Sequence, residues 1–200
     1  MVTIDVRETG VGEHRLVGEI IGEGFHDDPV NLWAFNGPKP IIPSMTELAR
    51  TVYLPRGFSH VTTDEGGATL WLPPGVSPDL PIYKMLGLAW PILRYGGLTA
   101  MGRGLRLSDF MAKNHPHEPH YYLFAIAVRP DRQGQGLGGK LMREGLKRAD
   151  ADGVGAYLEN TKERNLPIYR SFGFELLEKV TPVDGAPPMW RMFRPAADRP

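Results

Sequence analysis

The chain contains no cysteine. That absence excludes a disulfide framework, a thiol nucleophile and any metal site built on thiolates. It also lacks a charge bias, because 23 Lys plus Arg meet 23 Asp plus Glu. A general nucleic-acid binder is usually basic, so no nucleic-acid partner is expected. No run is long and apolar enough to span a bilayer, and no membrane partner is expected. The most apolar stretch, Leu80 to Leu93, is too short and contains Lys84 and two prolines. The opening Met-Val-Thr-Ile-Asp-Val-Arg has an early acid and no apolar core of the kind a secretory signal needs. A cytoplasmic protein is the default expectation. Repeats and low-complexity segments are also missing.

What is present reads as one enzyme-sized globule. Hydrophobic residues make up 42% and charged residues 23%, the balance of a soluble fold. Two hundred residues suit one core, so residues 1–194 are expected to form a single domain, with 195–200 a frayed tail. The 24 glycines and 19 prolines punctuate periodic segments rather than marking disorder. Strand patterns run over 2–7, 58–63, 68–72, 121–128, 155–159, 174–180 and 189–193. Helical spacing covers 13–25, where His26-Asp27-Asp28-Pro29 breaks it. It recurs over 44–53, with Ser44 as expected N-cap and Glu47 completing a capping box. Residues 80–113 are mostly helical, with interruptions expected at Pro91 and Gly96-Gly97. Further helices are predicted over 136–151 and 165–172. The 58–72 region is a hairpin, so the sheet is mixed, whereas strand 121–128, helix 136–151 and strand 155–159 form a right-handed βαβ unit with parallel strands. Strand 121–128 is apolar on both faces, like a buried central strand.

The turn inside that unit carries the chemistry. Gln133-Gly134-Gln135-Gly136-Leu137-Gly138-Gly139-Lys140 lies between strand and helix, where successive N–H groups can surround an anion. It is not a P-loop, because Leu141 follows Lys140 where a Ser or Thr must hold magnesium. It also misses the spacing and placement of a dinucleotide fingerprint. Gln133, Gly136 and Gly138 instead fit Gln-x-x-Gly-x-Gly. Downstream come Asn165, Tyr169 and Gly173-Phe174 in order. In these features the chain resembles the GNAT superfamily of acetyl-CoA-dependent N-acetyltransferases. His117-Glu118-Pro119, Leu158-Glu159 and Arg164-Asn165-Leu166-Pro167 extend the resemblance toward puromycin N-acetyltransferase-like members, densely from Pro116 to Phe193 and thinly before.

The resemblance implies an α/β (α+β) GNAT fold: a mostly antiparallel mixed sheet flanked by helices, with one parallel strand pair that splays apart. It implies acetyl-CoA as co-substrate and a primary amine of a small molecule, antibiotic-like ones among the candidates, as acceptor in a ternary complex. The amides of Gln133, Gly134, Gln135, Gly136, Leu137, Gly138 and Gly139 would surround the pyrophosphate. The backbone of Ile126, Ala127 and Val128 would pair with pantetheine as an added strand. Asn165 would contact the cofactor, or simply cap a helix. Arg129 and Arg132 stand open as phosphate partners or solvated side chains. Tyr169 is the expected general acid, because a phenol can protonate a departing thiolate. Glu159 is the expected base, or else only attracts a cation; burial would have to raise its pKa. His26, His120 or an ordered water chain are the substitutes. One ring of His120, Tyr121 and Tyr122 is expected in the acceptor cleft, with Asp27, Asp28, Trp33, Phe35 and Trp71 as further candidates. The cluster His115, His117, His120 is read as no metal site, since its prolines forbid a shared helical face. A non-catalytic acyl-CoA-binding regulatory domain and a protein or peptide N-acetyltransferase stay open, as do monomer and homodimer.

Overall fold

The computed structural model describes residues 4–78 and 82–196, with the side chains of 82–85 left aside. Positions 1–3, 79–81 and 197–200, which include most of the expected tail and the start of the 80–113 segment, lie outside the described residues.

Seven strands form one sheet, β1 (Val6–Glu8), β2 (His60–Thr62), β3 (Gly67–Leu72), β4 (His120–Val128), β5 (Gly155–Asn160), β6 (Glu175–Val180) and β7 (Met189–Arg194). Their order is β1-β2-β3-β4-β5-β7-β6. Every pairing is antiparallel except β4 with β5. The expected mixed, mostly antiparallel sheet with one parallel pair is therefore present. Helices α1 (His14–Gly24) and α3 (Ile41–Leu48) cover one face, and α6 (Leu137–Asp152) covers the other. Val17, Ile20, Ile21 and Met45 pack with Tyr122, Ala125 and Ala127. Met142, Leu146 and Ala149 pack with Tyr121 and Leu123 on the opposite face. A Cβ at Gly22 would sit 2.7 Å from the Ile42 Cα, so α1 and α3 touch backbone to backbone.

The alternation of β4 reverses at Phe124. Leu70 pairs with Ala125 and Trp71 with Leu123, which leaves Phe124 as the extra residue of a β-bulge. Pairing between β4 and β5 runs from His120 and Gly155 to Leu123 and Leu158 and stops there. The strands part at the bulge because the bend turns β4 away from β5. From Phe124 to Val128 the edge of β4 toward β5 has no strand partner among the described residues.

Three local expectations are corrected. The second helix starts at Ile41 with Pro40 as N-cap, so Ser44 is not a cap. It is buried inside the helix, its Oγ without a hydrogen-bond partner. Pro43 falls in the first turn, where a missing N–H removes no helix bond, and Glu47 bonds Arg50 at 2.6 Å instead of closing a capping box. The helix continues through a π-helical turn (Ala49–Tyr53) into the short α4 (Leu54–Arg56). Asp28-Pro29, read as a stop, also starts α2 (Pro29–Ala34): the Asp28 carboxylate accepts the Asn31 N–H at 2.8 Å and Pro29 occupies the first helical position. In α5 (Ile82–Lys113) the chain bends at Gly97, with φ 72°, and not at Pro91. A short helix α7 (Leu166–Ser171) precedes β6.

Candidate active site

Where β4 and β5 separate, a cavity of about 1500 Å³ opens. The glycine turn closes one end. Gly134 (φ 77°) and Gly136 (φ 76°) hold left-handed conformations that L side chains rarely adopt, and a Cβ on either would meet nothing within 4 Å. Gly136 is the N-cap of α6, whose first N–H groups have no intrahelical partner. Gln133 bends back, its Nε2 donating to the Val128 carbonyl at 3.2 Å. The turn is thus tied to the end of the bulged strand while its amides face open space.

Ile126, Ala127, Val128, Gln133, Gly134, Gly136, Leu137, Gly138, Gly139 and Asn165 all line the cavity, as predicted for the cofactor. Leu137 does so only by position, because its side chain is buried. Gln135 is exposed and is not among the lining residues. Asn165 occupies the N-cap position of α7 but makes no side-chain capping bond, which leaves its amide free for the cavity. Arg132 also lines the cavity and Arg129 does not, and both guanidinium groups are held by acids. Arg129 pairs with Glu23 and donates to the Glu65 carbonyl at 2.9 Å, and Arg132 pairs with Asp64. They fasten the turn to α1 and to the β2–β3 hairpin. Lys140 donates to the Ile4 carbonyl at 2.6 Å.

Glu159 and Tyr169 both line the cavity. Glu159 sits just past Leu158, the last β5 residue paired with β4, and pairs on its other side with Arg191 of β7. Its Oε2 accepts the Tyr122 hydroxyl at 2.8 Å, while Oε1 is buried and has no hydrogen-bond partner. Burial raises its pKa to about 7, against smaller opposing effects of the Tyr122 and Tyr157 hydroxyls and of the Arg191 charge. Tyr122 in turn stacks near Tyr157, with centroids 5.9 Å apart, and the Tyr157 hydroxyl accepts from Arg191 Nε at 3.2 Å. Tyr53, from the π-helical turn, stacks on the bulge residue Phe124 at 4.4 Å. Burial lifts the Tyr53 and Tyr122 hydroxyls well above their ordinary pKa, so both remain neutral donors beside the carboxyl.

Tyr169 projects from α7 and packs edge-on against Phe174, with centroids 6.1 Å apart. Burial, reinforced by the Asp28 charge, holds its phenol well above the usual value. It therefore keeps its proton at any working pH.

The substitute bases are placed differently. His26 is exposed and is not among the lining residues. His120 lines the cavity, but its Nδ1 meets the Glu118 carbonyl at 2.6 Å and its Nε2 meets His115 Nε2 at 2.9 Å. Burial, then the neighbouring His120, lowers His115 to about 4, so the pair shares a neutral hydrogen bond. Of the three rings proposed at the start of β4, Tyr122 and His120 face the cavity, whereas Tyr121 turns to the other face and bonds Asp152 at 2.6 Å.

The acidic loop after α1 is used internally. Asp28 accepts from Asn31 and Thr161, and Asp27 pairs with Lys162 and Arg164. The loop clasps the segment after β5, so the expected amine-binding role of these carboxylates finds no free oxygen on Asp28. Phe35 lines the cavity. Trp71 is buried in the core instead, and Trp33 lies under Arg103 at 5.0 Å, outside the lining. Tyr53 escaped sequence reasoning, since it belongs to no motif and reaches the site by packing, and His115 was weighed only as part of a histidine cluster.

With this geometry in view, similarity to known proteins can be weighed. A model of the acetyltransferase (GNAT) family matches residues 88–174. An uncharacterized N-acetyltransferase of Schizosaccharomyces pombe is 26% identical over 182 residues, covering 84% of this chain and 73% of the relative. These matches support the GNAT acetyltransferase family, and the protein is an acyltransferase. Solved structures share the fold. A Corynebacterium glutamicum structure described as histone acetyltransferase HPA2 and related acetyltransferase aligns with TM-score 0.72 and 24% identity over 99% of each chain. A Drosophila melanogaster polyamine N-acetyltransferase, which forms N-acetylagmatine, aligns with TM-score 0.68 and 18% identity, covering 96% of this chain and 100% of that one. The GNAT model spans the bulged strand, the glycine turn, Glu159 and Tyr169. No helix among the described residues is long and apolar enough to cross a membrane.

Proposed function

We propose that this GNAT enzyme transfers an acetyl group from acetyl-CoA to a primary amine of a small molecule, by direct attack in a ternary complex. The observation that carries the reading is the Glu159 carboxyl, placed where β4 and β5 part, with a pKa near 7 and one oxygen without a hydrogen bond. A buried polar atom left unpartnered calls for an explanation. An incoming ammonium, or a water carrying its proton, supplies one.

The chain's own groups divide the work. The free edge of β4 from Phe124 to Val128 offers backbone groups to an extended amide-bearing arm. The amides of the glycine turn and of the α6 N-terminus suit a pyrophosphate. Acetyl-CoA, held there, supplies an activated thioester. Glu159 takes the proton that makes the amine nucleophilic; near pH 7 a base of matching pKa is well suited to the task. Tyr169 donates to the leaving sulfur. Because burial makes it a weaker acid than a thiol, its proton moves as negative charge builds rather than before.

Small-amine acetyltransferases among proteins of this fold support the acceptor class. The residue order from Pro116 to Phe193 supports a place near the puromycin N-acetyltransferase-like members. A cytoplasmic location and a single domain over 1–194 fit the same reading. The test is release of free CoA from acetyl-CoA by the purified protein across a panel of amines. Amine-dependent thiol release is expected; CoA binding with no release for any amine would favour a regulatory acyl-CoA-binding domain.

A further inference from the structure

One wall of the cavity that Glu159 lines names a class of acceptor. It is built by α2, α3 and α5, and its lining includes Phe35, Met45, Ile92, Met101, Leu105 and Met111. Among the described residues, no charged side chain of these three helices lines the cavity. That is selective placement, because α5 carries Arg94, Arg103, Arg106, Asp109 and Lys113 and turns none of them inward. The bend at Gly97 lets both halves of α5 present an apolar face to the same space.

The acids that line the cavity are equally telling. They are Asp28, Glu118 and Glu159 among the described residues. Asp28 is buried and already accepts from Asn31 and Thr161. Glu118 is exposed. Glu159 alone is a sheltered carboxyl with an oxygen that lacks a hydrogen-bond partner. A polyamine needs a second buried anion to replace water around its second cation, since an unpaired charge is costly to desolvate. An apolar wall rewards hydrocarbon instead, and its three methionines can adapt to varied shapes.

Resting on the reading of Glu159 as the proton acceptor, we infer that the acceptor is a monoamine whose single nitrogen reaches Glu159 and whose long alkyl or aromatic body packs on the methionine-lined wall. Diamines and polyamines are the disfavoured class. Catalytic preference follows buried chain length.

The test uses the full chain with acetyl-CoA and the amines n-butylamine, n-hexylamine, n-octylamine, 1,8-diaminooctane and agmatine. Each methylene buried is expected to raise kcat/KM by about 3–4-fold until the wall is filled. Octylamine should therefore exceed butylamine by about two orders of magnitude, and 1,8-diaminooctane should fall well below octylamine. Met101→Glu should remove most of the octylamine advantage over butylamine. Calorimetry of the same amines on the CoA-loaded protein separates the two claims. If octylamine binds more tightly than butylamine and agmatine but no amine is acetylated, the acceptor site stands and the catalytic reading fails. If amines are acetylated with a flat chain-length dependence, or agmatine and the diamine surpass octylamine, the inference is overturned while the enzyme remains an amine acetyltransferase. A Met101→Glu variant that still folds, judged by circular dichroism, and keeps the octylamine advantage would also overturn it.

Discussion

The two ends of the cavity are made of different material. At the end proposed for the cofactor the groups on offer are backbone: the unpaired edge of β4 and the amides around Gly134 and Gly136. At the acceptor end they are side chains from α2, α3 and α5, almost all apolar. A backbone site demands particular residues, because only glycine tolerates a φ near 76° without strain and leaves the amides accessible. A side-chain site of the second kind accepts any apolar residue of suitable size. One end is therefore written as a motif and the other is not, although both border the same carboxyl.

The largest expected effect lies at the junction of the two ends. Tyr169→Phe removes the proton donor and keeps the ring against Phe174, so kcat should fall by about 10²–10⁴-fold, with a small change in acetyl-CoA affinity. Steady-state kinetics and calorimetry together check this. A fully active Phe variant would mean that solvent protonates the thiolate.

Breaking the cofactor end alone should come next. Gly136→Glu introduces both strain at a left-handed position and a negative charge into the open space beside the α6 N-terminus. Acetyl-CoA affinity measured by calorimetry should weaken by roughly 100-fold or more. Direct binding of an amine at the other end should survive. Equal acetyl-CoA affinities would reject the turn as the pyrophosphate site.

How much of this was legible in the chain follows the same division. Seven strands, the parallel pair and the glycine turn follow from periodicity and motif. The bulge does not. Tyr121 to Val128 is apolar on both faces, so a reversal of alternation at Phe124 leaves no mark in the pattern. The resemblance implied the splay, and Phe124 gives it a physical cause. Ser44 with Glu47 imitated a capping box, yet the apolar Ile41-Ile42 had already begun the helix and Pro43 could sit in its first turn. Asp28-Pro29 is ambiguous in principle, since the pair that stops one helix also caps the next. Tyr122 was one of three candidates, and period 2 placed it opposite Tyr121. Tyr53 comes from a distant π-helical turn that no local signal announced.

A smaller, energetic effect sharpens the role of burial. The Glu159 pKa is raised in the fold from an ordinary value of 4.5 to about 7. The folded state thus holds this proton more tightly than the unfolded chain. The resulting stability is complete below about 4.5 and is lost as pH rises through 7. Glu159→Gln escapes that loss. It should be more stable than the parent by about 1–3 kcal/mol at pH 8.5, with a smaller difference at pH 5.5, as read by denaturant unfolding.

The central claim is that Glu159 takes the substrate's proton, and the pH dependence of kcat tests it most directly. With acetyl-CoA and amine both saturating, the parent should lose activity as pH falls through about 7, because the carboxyl protonates there. Glu159→Gln should have a much lower kcat and no such acidic limb. A Gln variant that keeps both the rate and the limb near pH 7 would contradict the account.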